Sequence, residues 1–263
     1  MIASNSPTAI EQFRKGLCKN FEIKWSENMK QIVGLECASG EGEVTISQTR
    51  LTNDILDAYP RRILQCDSPL PPIPTTTSNV KGIIMDATLF RLVVWSLAYL
   101  VSGLCPDLAF AINYLARHST AHWDVLDHLV GYLLKTRGHR IILRPGECAL
   151  SLWSDAGWGG KLVWSQSGFM LKLGNAPILW GSKRQTVVAL SKCAAEYIAL
   201  SNSTQHLIQV INQLTQLSQD FKKTIFCDNQ AAVQISMDNL SHKRMRYLNH
   251  AFFFVNTGSW SDG

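Results

Sequence analysis

No cysteine of this chain stands in a CxxC pair. The seven present (Cys18, Cys37, Cys66, Cys105, Cys148, Cys193 and Cys227) are scattered and odd in number. That spacing offers no zinc ribbon and no paired disulfide framework, so free thiols in a reducing, intracellular compartment, cytoplasm or nucleus, are expected. Long apolar runs are also missing. The longest, Leu92 to Cys105, is bounded by Arg91 and Pro106-Asp107 and falls short of the ~20 residues that span a bilayer, so no membrane helix is expected. Met1 to Pro7 has neither a basic n-region nor an apolar h-region, and no targeting leader is visible. Charged residues are scarce, 17% against 46% hydrophobic, which excludes a disordered chain and supports a buried core. A net charge of +5 and a pI near 8.8 permit an anionic partner such as nucleic acid without requiring one.

Ile10, Phe13, Leu17 and Phe21 recur at helical spacing, predicting a helix that leads into a strand over residues 8–33. Short strands are expected at Val33–Cys37 and Glu43–Ser47 around the turn Ser39-Gly40-Glu41-Gly42, then a helix over Leu51–Ala58. Residues 67–82, rich in proline and containing Thr75-Thr76-Thr77-Ser78, read as a linker and domain boundary. Helices follow at about 86–102, 106–117 and 121–136. Beyond Cys148 the pattern changes to three strand-like segments, Cys148–Asp155, Gly168–Leu173 and Ala176–Ser182. Ser191 can cap a long helix to about Leu217, and a strand Lys222–Asp228 and a helix Asn229–Met237 follow. Strands and helices in this order predict an α/β domain with a mixed sheet.

Asp155 and Asp228 each lie at the end of a predicted strand, and Glu196 lies in the first turns of the long helix. Strand ends at one edge of an α/β sheet open into a crevice where ligands bind, and Glu196 could point into it. Clustered carboxylates repel unless a cation compensates. Oxygen ligands without a neighbouring cysteine or histidine pair favour magnesium or manganese over zinc. Taken singly, each residue has a plainer reading: Asp155 as a turn residue, Asp228-Asn229 as a helix cap, Glu196 as a solvated helix position.

The blocks Ser154-Asp155-Ala156-Gly157-Trp158, Ser167-Gly168-Phe169, Pro177 to Gln185, Val188-Ala189-Leu190-Ser191, Ala195-Glu196-Tyr197 and Cys227-Asp228-Asn229-Gln230 occur in order. Together they resemble the ribonuclease H domain of copia-type LTR retrotransposon polyproteins. Ile46-Ser47-Gln48, Pro106 to Ala111 and His122-Trp123 are similar to the end of the same polyprotein's reverse transcriptase and its connector. The resemblance implies a ribonuclease H-like mixed sheet with flanking helices over 146–257. A reverse-transcriptase remnant (1–66), the linker (67–82) and a helical connector (83–145) would precede it.

It also implies that Asp155, Glu196 and Asp228 hold Mg2+ or Mn2+ and hydrolyse the RNA strand of an RNA–DNA hybrid. Asp155 would bridge two ions, and the remainder of the polyprotein is a further expected partner. In that family an aromatic-x-Asp-Asp turn precedes the position of Ile2, so no polymerase activity is expected here. A fourth carboxylate on a helix after a fifth strand is expected to lie beyond Gly263. Arg246-Tyr247-Leu248-Asn249 stands where the family reads Lys-His-Ile-Asp, and on these grounds cleavage is expected to be weak or absent. The alternative is an inert nucleic-acid-binding remnant; a third reading is a generic α/β domain.

Lys183, Arg184, Lys243, Arg244 and Arg246 are the candidate phosphate contacts, and Lys222-Lys223 reads better as solvated surface. Trp158 and Trp164 are candidates to pack against a hybrid, whereas Trp180 reads as core. His118 and His122 have zinc-like spacing but no further ligand nearby, and Ser191 and Cys193 lack a base partner.

Overall fold

The structure is a computed structural model that describes residues 6–23, 30–72, 87–117, 122–144, 146, 149–159, 164–216 and 221–237. Helix α1 (Pro7–Asn20) begins where the Ser6 hydroxyl accepts the Ala9 N–H and Pro7 occupies the first turn. It is followed by β1 (Gln31–Ile32), β2 (Leu35–Gly40), β3 (Glu43–Ser47) and α2 (Thr49–Ala58). The expected strand at Val33 is instead a turn. Val33 and Gly34 both take positive φ, 47° and 76°, as a two-residue hairpin with the twist of its strands requires. The Val33 carbonyl accepts the Tyr99 hydroxyl at 2.8 Å. The Glu36 carboxylate accepts the Ser47 hydroxyl and the Arg50 N–H at the start of α2, where a negative charge favours the helix dipole.

Helices α3 (Ala87–Gly103), α4 (Ala109–Arg117) and α5 (Trp123–Thr136) follow, with a 3-10 turn at Pro106–Leu108 before α4. Beyond them β4 (Ile141–Leu143) returns to pair with β3, Ile46 opposite Ile141, completing an antiparallel sheet β1-β2-β3-β4. Three apolar residues after a helix carry no period, so nothing in the local pattern marks this strand. Ile55 and Tyr59 share one core with Phe90, Leu97, Leu115 and Leu129 from α3, α4 and α5. Asp127 of α5 accepts the Tyr59 hydroxyl at 2.6 Å and pairs with Arg61 at 2.7 Å. The segments flanking residues 67–82 therefore share one sheet and one core.

The second sheet holds β5 (Ala149–Gly157), β6 (Gln166–Leu173), β7 (Ala176–Arg184) and β8 (Lys222–Cys227), in the order β7-β6-β5-β8. The β5–β6 and β6–β7 pairs are antiparallel; β8 is parallel to β5 and is reached through α6 (Lys192–Thr215). Helix α7 (Gln230–Met237) ends the described residues. This is the mixed sheet with flanking helices expected from the sequence. It is docked on the helices before it: the Trp180 indole N–H donates to the Val101 carbonyl at 2.7 Å, and the Gln166 amide donates to Asn113 at 3.3 Å. No described helix is long and apolar enough to cross a membrane, and the six described cysteines are free thiols.

A Cβ on Gly131 of α5 would sit 2.0 Å from the Leu64 carbonyl oxygen, and the Cys66 N–H donates to the Gly131 carbonyl at 3.3 Å. Gly131→Ala should therefore destabilise the protein by about 1–3 kcal/mol through overpacking. Urea unfolding reads this as a lower midpoint; an unchanged midpoint would mean that the 64–66 segment is not seated on α5.

Candidate metal centre

Three elements of the second sheet and its helix supply the candidate carboxylates. Along β5 the buried positions alternate, with Leu150, Leu152, Ser154 and Ala156 facing inward and Trp153 and Asp155 exposed. Asp155 is a strand residue opposite Gly168, not a turn residue. Ser154 stands beside Cys227 on the parallel β5–β8 rung, so Asp228 follows β8 one position on, as Asp155 follows Ser154. The next helix is capped by Asn229, whose side chain accepts the Ala232 N–H at 3.0 Å. That leaves the Asp228 carboxylate out of the cap and exposed.

Glu196 is set by α6. The Ser191 hydroxyl accepts the Ala194 N–H at 3.1 Å and starts the helix. Ala194, Ala195 and Ala199 pack with Ala156, Ala189 and Ala232, small side chains that let the first turns lie close to β5. The buried Gln185 amide donates to the Ala195 carbonyl at 2.8 Å and to Ser167 at 3.0 Å, tying α6 to the sheet. The Trp158 indole donates to the Ala189 carbonyl at 3.1 Å and holds the end of β5 against the approach to α6. Glu196 is consequently 1% exposed, not solvated.

Ligand atoms of Glu196, Cys227 and Asp228 all lie within 4.8 Å of one another. Asp155 stands outside that set but lines, with Asp228, an open groove of about 710 Å³ floored by Trp153 stacked on Phe226 at 4.1 Å. It also acts on Glu196 through its charge. Burial first, then the negative charges of Asp155 and Asp228, push the Glu196 carboxyl up to about 7. The nearby Ala156 N–H, short of a full hydrogen bond, and the Lys192 charge oppose the shift without reversing it. Neither Glu196 oxygen completes a hydrogen bond. Two buried, unpartnered carboxylate oxygens beside a second carboxylate fit a divalent cation, which would supply the missing partner. Cys227, absent from the ligands expected from the sequence, joins the cluster because it ends β8 on the inward face. The sequence signal was its position immediately before Asp228, at a strand end, where alternation turns it toward α6.

Among the candidate basic residues, Lys183 and Arg184 lie exposed at the end of β7. The Arg184 guanidinium sits 5.4 Å from the centroid of the Trp164 ring. Lys243, Arg244, Arg246 and Asn249 lie outside the described residues, as does His118. His122 is buried, with its ring edge-on to Tyr114.

No family model matches the chain. Over 265 residues, 97% of its length, it is 29% identical to the retrovirus-related Pol polyprotein from transposon RE2 of Arabidopsis thaliana. Further Pol polyproteins of the same kind match over a comparable extent. The relatives that match over 97% of the chain, at 24–29% identity, are copia-type retrovirus-related Pol polyproteins. The chain spans 18% of the length of the RE2 polyprotein. A 122-residue stretch, 44% of the chain, is 35% identical to secreted RxLR effector protein 161 of Plasmopara viticola and covers 86% of that protein. A solved foamy viral protease-reverse transcriptase in complex with double-stranded DNA overlaps 84% of this chain and 35% of that chain, at 12% identity and a TM-score of 0.44.

The raised Glu196 carboxyl fixes a sign. Between its ordinary value of 4.5 and about 7, the folded chain holds a proton that the unfolded chain releases. Stability without divalent ions therefore falls as pH rises through that window, by roughly 2–3 kcal/mol. Magnesium, which binds the charged form, should reverse the loss. Urea unfolding in a chelator at about pH 5 and about pH 8 tests this, with Glu196→Gln expected to flatten the dependence. Equal stability at both values in the parent chain would refute the buried, unmet carboxylate.

Proposed function

We propose that this chain carries a divalent-metal-dependent ribonuclease H of impaired activity that hydrolyses the RNA strand of RNA–DNA hybrids. The observation that carries the reading is that Asp155 and Asp228, from two parallel strands, line one groove, while Glu196 on the helix between those strands has a carboxylate oxygen within 4.8 Å of one of Asp228 and both of its oxygens unpartnered. Glu196 and Asp228 would hold one magnesium or manganese ion. Asp155, on the groove side, would reach toward the substrate and share in metal binding, as the copia-type resemblance implies. The ions would supply an activated water and stabilise the leaving oxygen of a phosphodiester. The chain's own part is to hold the carboxylates on rigid elements, through the Ser191 cap, the Gln185 tether and the Trp158 bond. Lys183 and Arg184 extend the exposed rim of the same sheet toward a polyanion. An RNA–DNA hybrid fits such a rim by its phosphates and 2′-hydroxyls, and not by base sequence.

A second reading, an inert nucleic-acid-binding remnant, is favoured by one observation: Cys227, and not Asp155, completes the tight group with Glu196 and Asp228. Hybrid cleavage in manganese separates the two. The nuclease reading expects metal-dependent cleavage that Asp155→Asn, Glu196→Gln or Asp228→Asn each lowers by on the order of 100-fold or more. Hybrid binding without any cleavage at saturating manganese would leave the inert remnant. Lys183→Ala with Arg184→Ala should weaken hybrid affinity across all sequences and flatten its salt dependence by roughly one unit of slope per lost phosphate contact, measured by titration at several salt concentrations. An unchanged slope would remove these two residues from the interface.

A further inference from the structure

The cluster contains a ligand that a magnesium site does not use. Cys227 is the last residue of β8 and is paired with Ser154, so both side chains leave the sheet on the face that α6 covers. Its sulfur and one carboxylate oxygen each from Glu196 and Asp228 are mutually within 4.8 Å. Two independent features mark the space as built for a ligand. Glu196, 1% exposed, keeps both oxygens unpartnered, and the hydroxyl of Ser154, 6% exposed, is buried without a partner on the neighbouring strand.

We propose that Cys227 makes this centre a mixed oxygen–sulfur site that captures a thiophilic divalent ion, zinc or cadmium, in place of magnesium. The proposal rests on the metal-binding part of the proposed function and adds to it which ion the site prefers. Magnesium gains nothing from a thiol, being a hard ion that takes oxygen and water. Zinc binds thiolate sulfur at about 2.3 Å and carboxylate oxygen at about 2.0–2.2 Å, in a tetrahedral shell. Ligand atoms of such a shell are roughly 3.5 Å apart, so a group within 4.8 Å closes on the ion by side-chain rotation of about 1 Å. Binding forms one zinc–sulfur and two zinc–oxygen bonds, the thiol proton and the proton held on Glu196 leave to solvent, and the fourth position stays open to water. With the soft ion seated, Glu196 and Asp228 are committed to it and the magnesium-dependent reaction stops. Zinc is thus an inhibitor of the proposed nuclease that acts at its own metal centre.

The test uses the full chain with zinc chloride, cadmium chloride and manganese chloride as separate probes, by calorimetry and by the ultraviolet charge-transfer band of cadmium thiolate. Cys227→Ser keeps the size of the side chain and removes the soft ligand. The expected result is that Cys227→Ser weakens zinc at least tenfold and abolishes the cadmium band of the first equivalent, while manganese affinity changes less than twofold. Cys193→Ser, which removes another thiol near Glu196, should leave zinc affinity unchanged. Equal zinc affinity in the parent chain and Cys227→Ser, or a cadmium band that survives in Cys227→Ser, overturns the assignment. Manganese that fails to bind the parent chain sinks the proposed function instead, because the role of Cys227 is read from the zinc difference alone.

Discussion

Glu196 carries a carboxylate into the interior where neither oxygen finds a hydrogen bond. An ionised group in that position is tolerated only if it takes a proton or meets a cation, since burial removes the water that would otherwise solvate it. The negative neighbours at Asp155 and Asp228 make the ionised state still less favourable. The rest of this half of the structure fixes that unfavourable arrangement in place. The capped first turn of α6, the alanine contacts against β5 and the Gln185 tether all keep Glu196 from turning outward to solvent.

The sheet separates the carboxylates by face. Alternation along β5 sends Ser154 and Ala156 toward α6 and Asp155 to the opposite, open side. On β8 the same alternation sends Cys227 inward, while Asp228 follows the strand and is freed because Asn229 caps α7. Glu196 therefore meets Asp228 and a thiol on one side, and feels Asp155 from the groove side through its charge. The tight cluster and the groove that would admit a substrate share Asp228 and Cys227 as their common wall.

The segment before Ala149 is not a passive tail. Its sheet closes only when β4, which follows three helices, pairs with β3, and its core needs α2 together with α3 to α5. Hydrogen bonds from Trp180 and Gln166 then join β7 and β6 to α3 and α4. Those bonds bring the 3-10 turn at Pro106–Leu108 and Phe110 to the edge of a second groove that also touches Asp155. This gives the groove beside Asp155 a wall made by the preceding elements.

Local pattern alone determined the element order of the second sheet, the cap at Ser191, the strand-end placement of Asp155 and Asp228 and the helical placement of Glu196. Each is written in periods of two or 3.6 residues and in short capping signals that act over one turn. Family likeness added the copia-type kinship through blocks of adjacent letters. Tertiary structure alone decided that β4 pairs with β3, that a single core spans both sides of residues 67–82, and that Val33 turns instead of extending. It also decided that Cys227 stands with Glu196 and Asp228 while Asp155 lies outside that group. These are contacts between residues far apart along the chain. They follow from which faces remain to be buried once the local elements exist, and no local period records that choice.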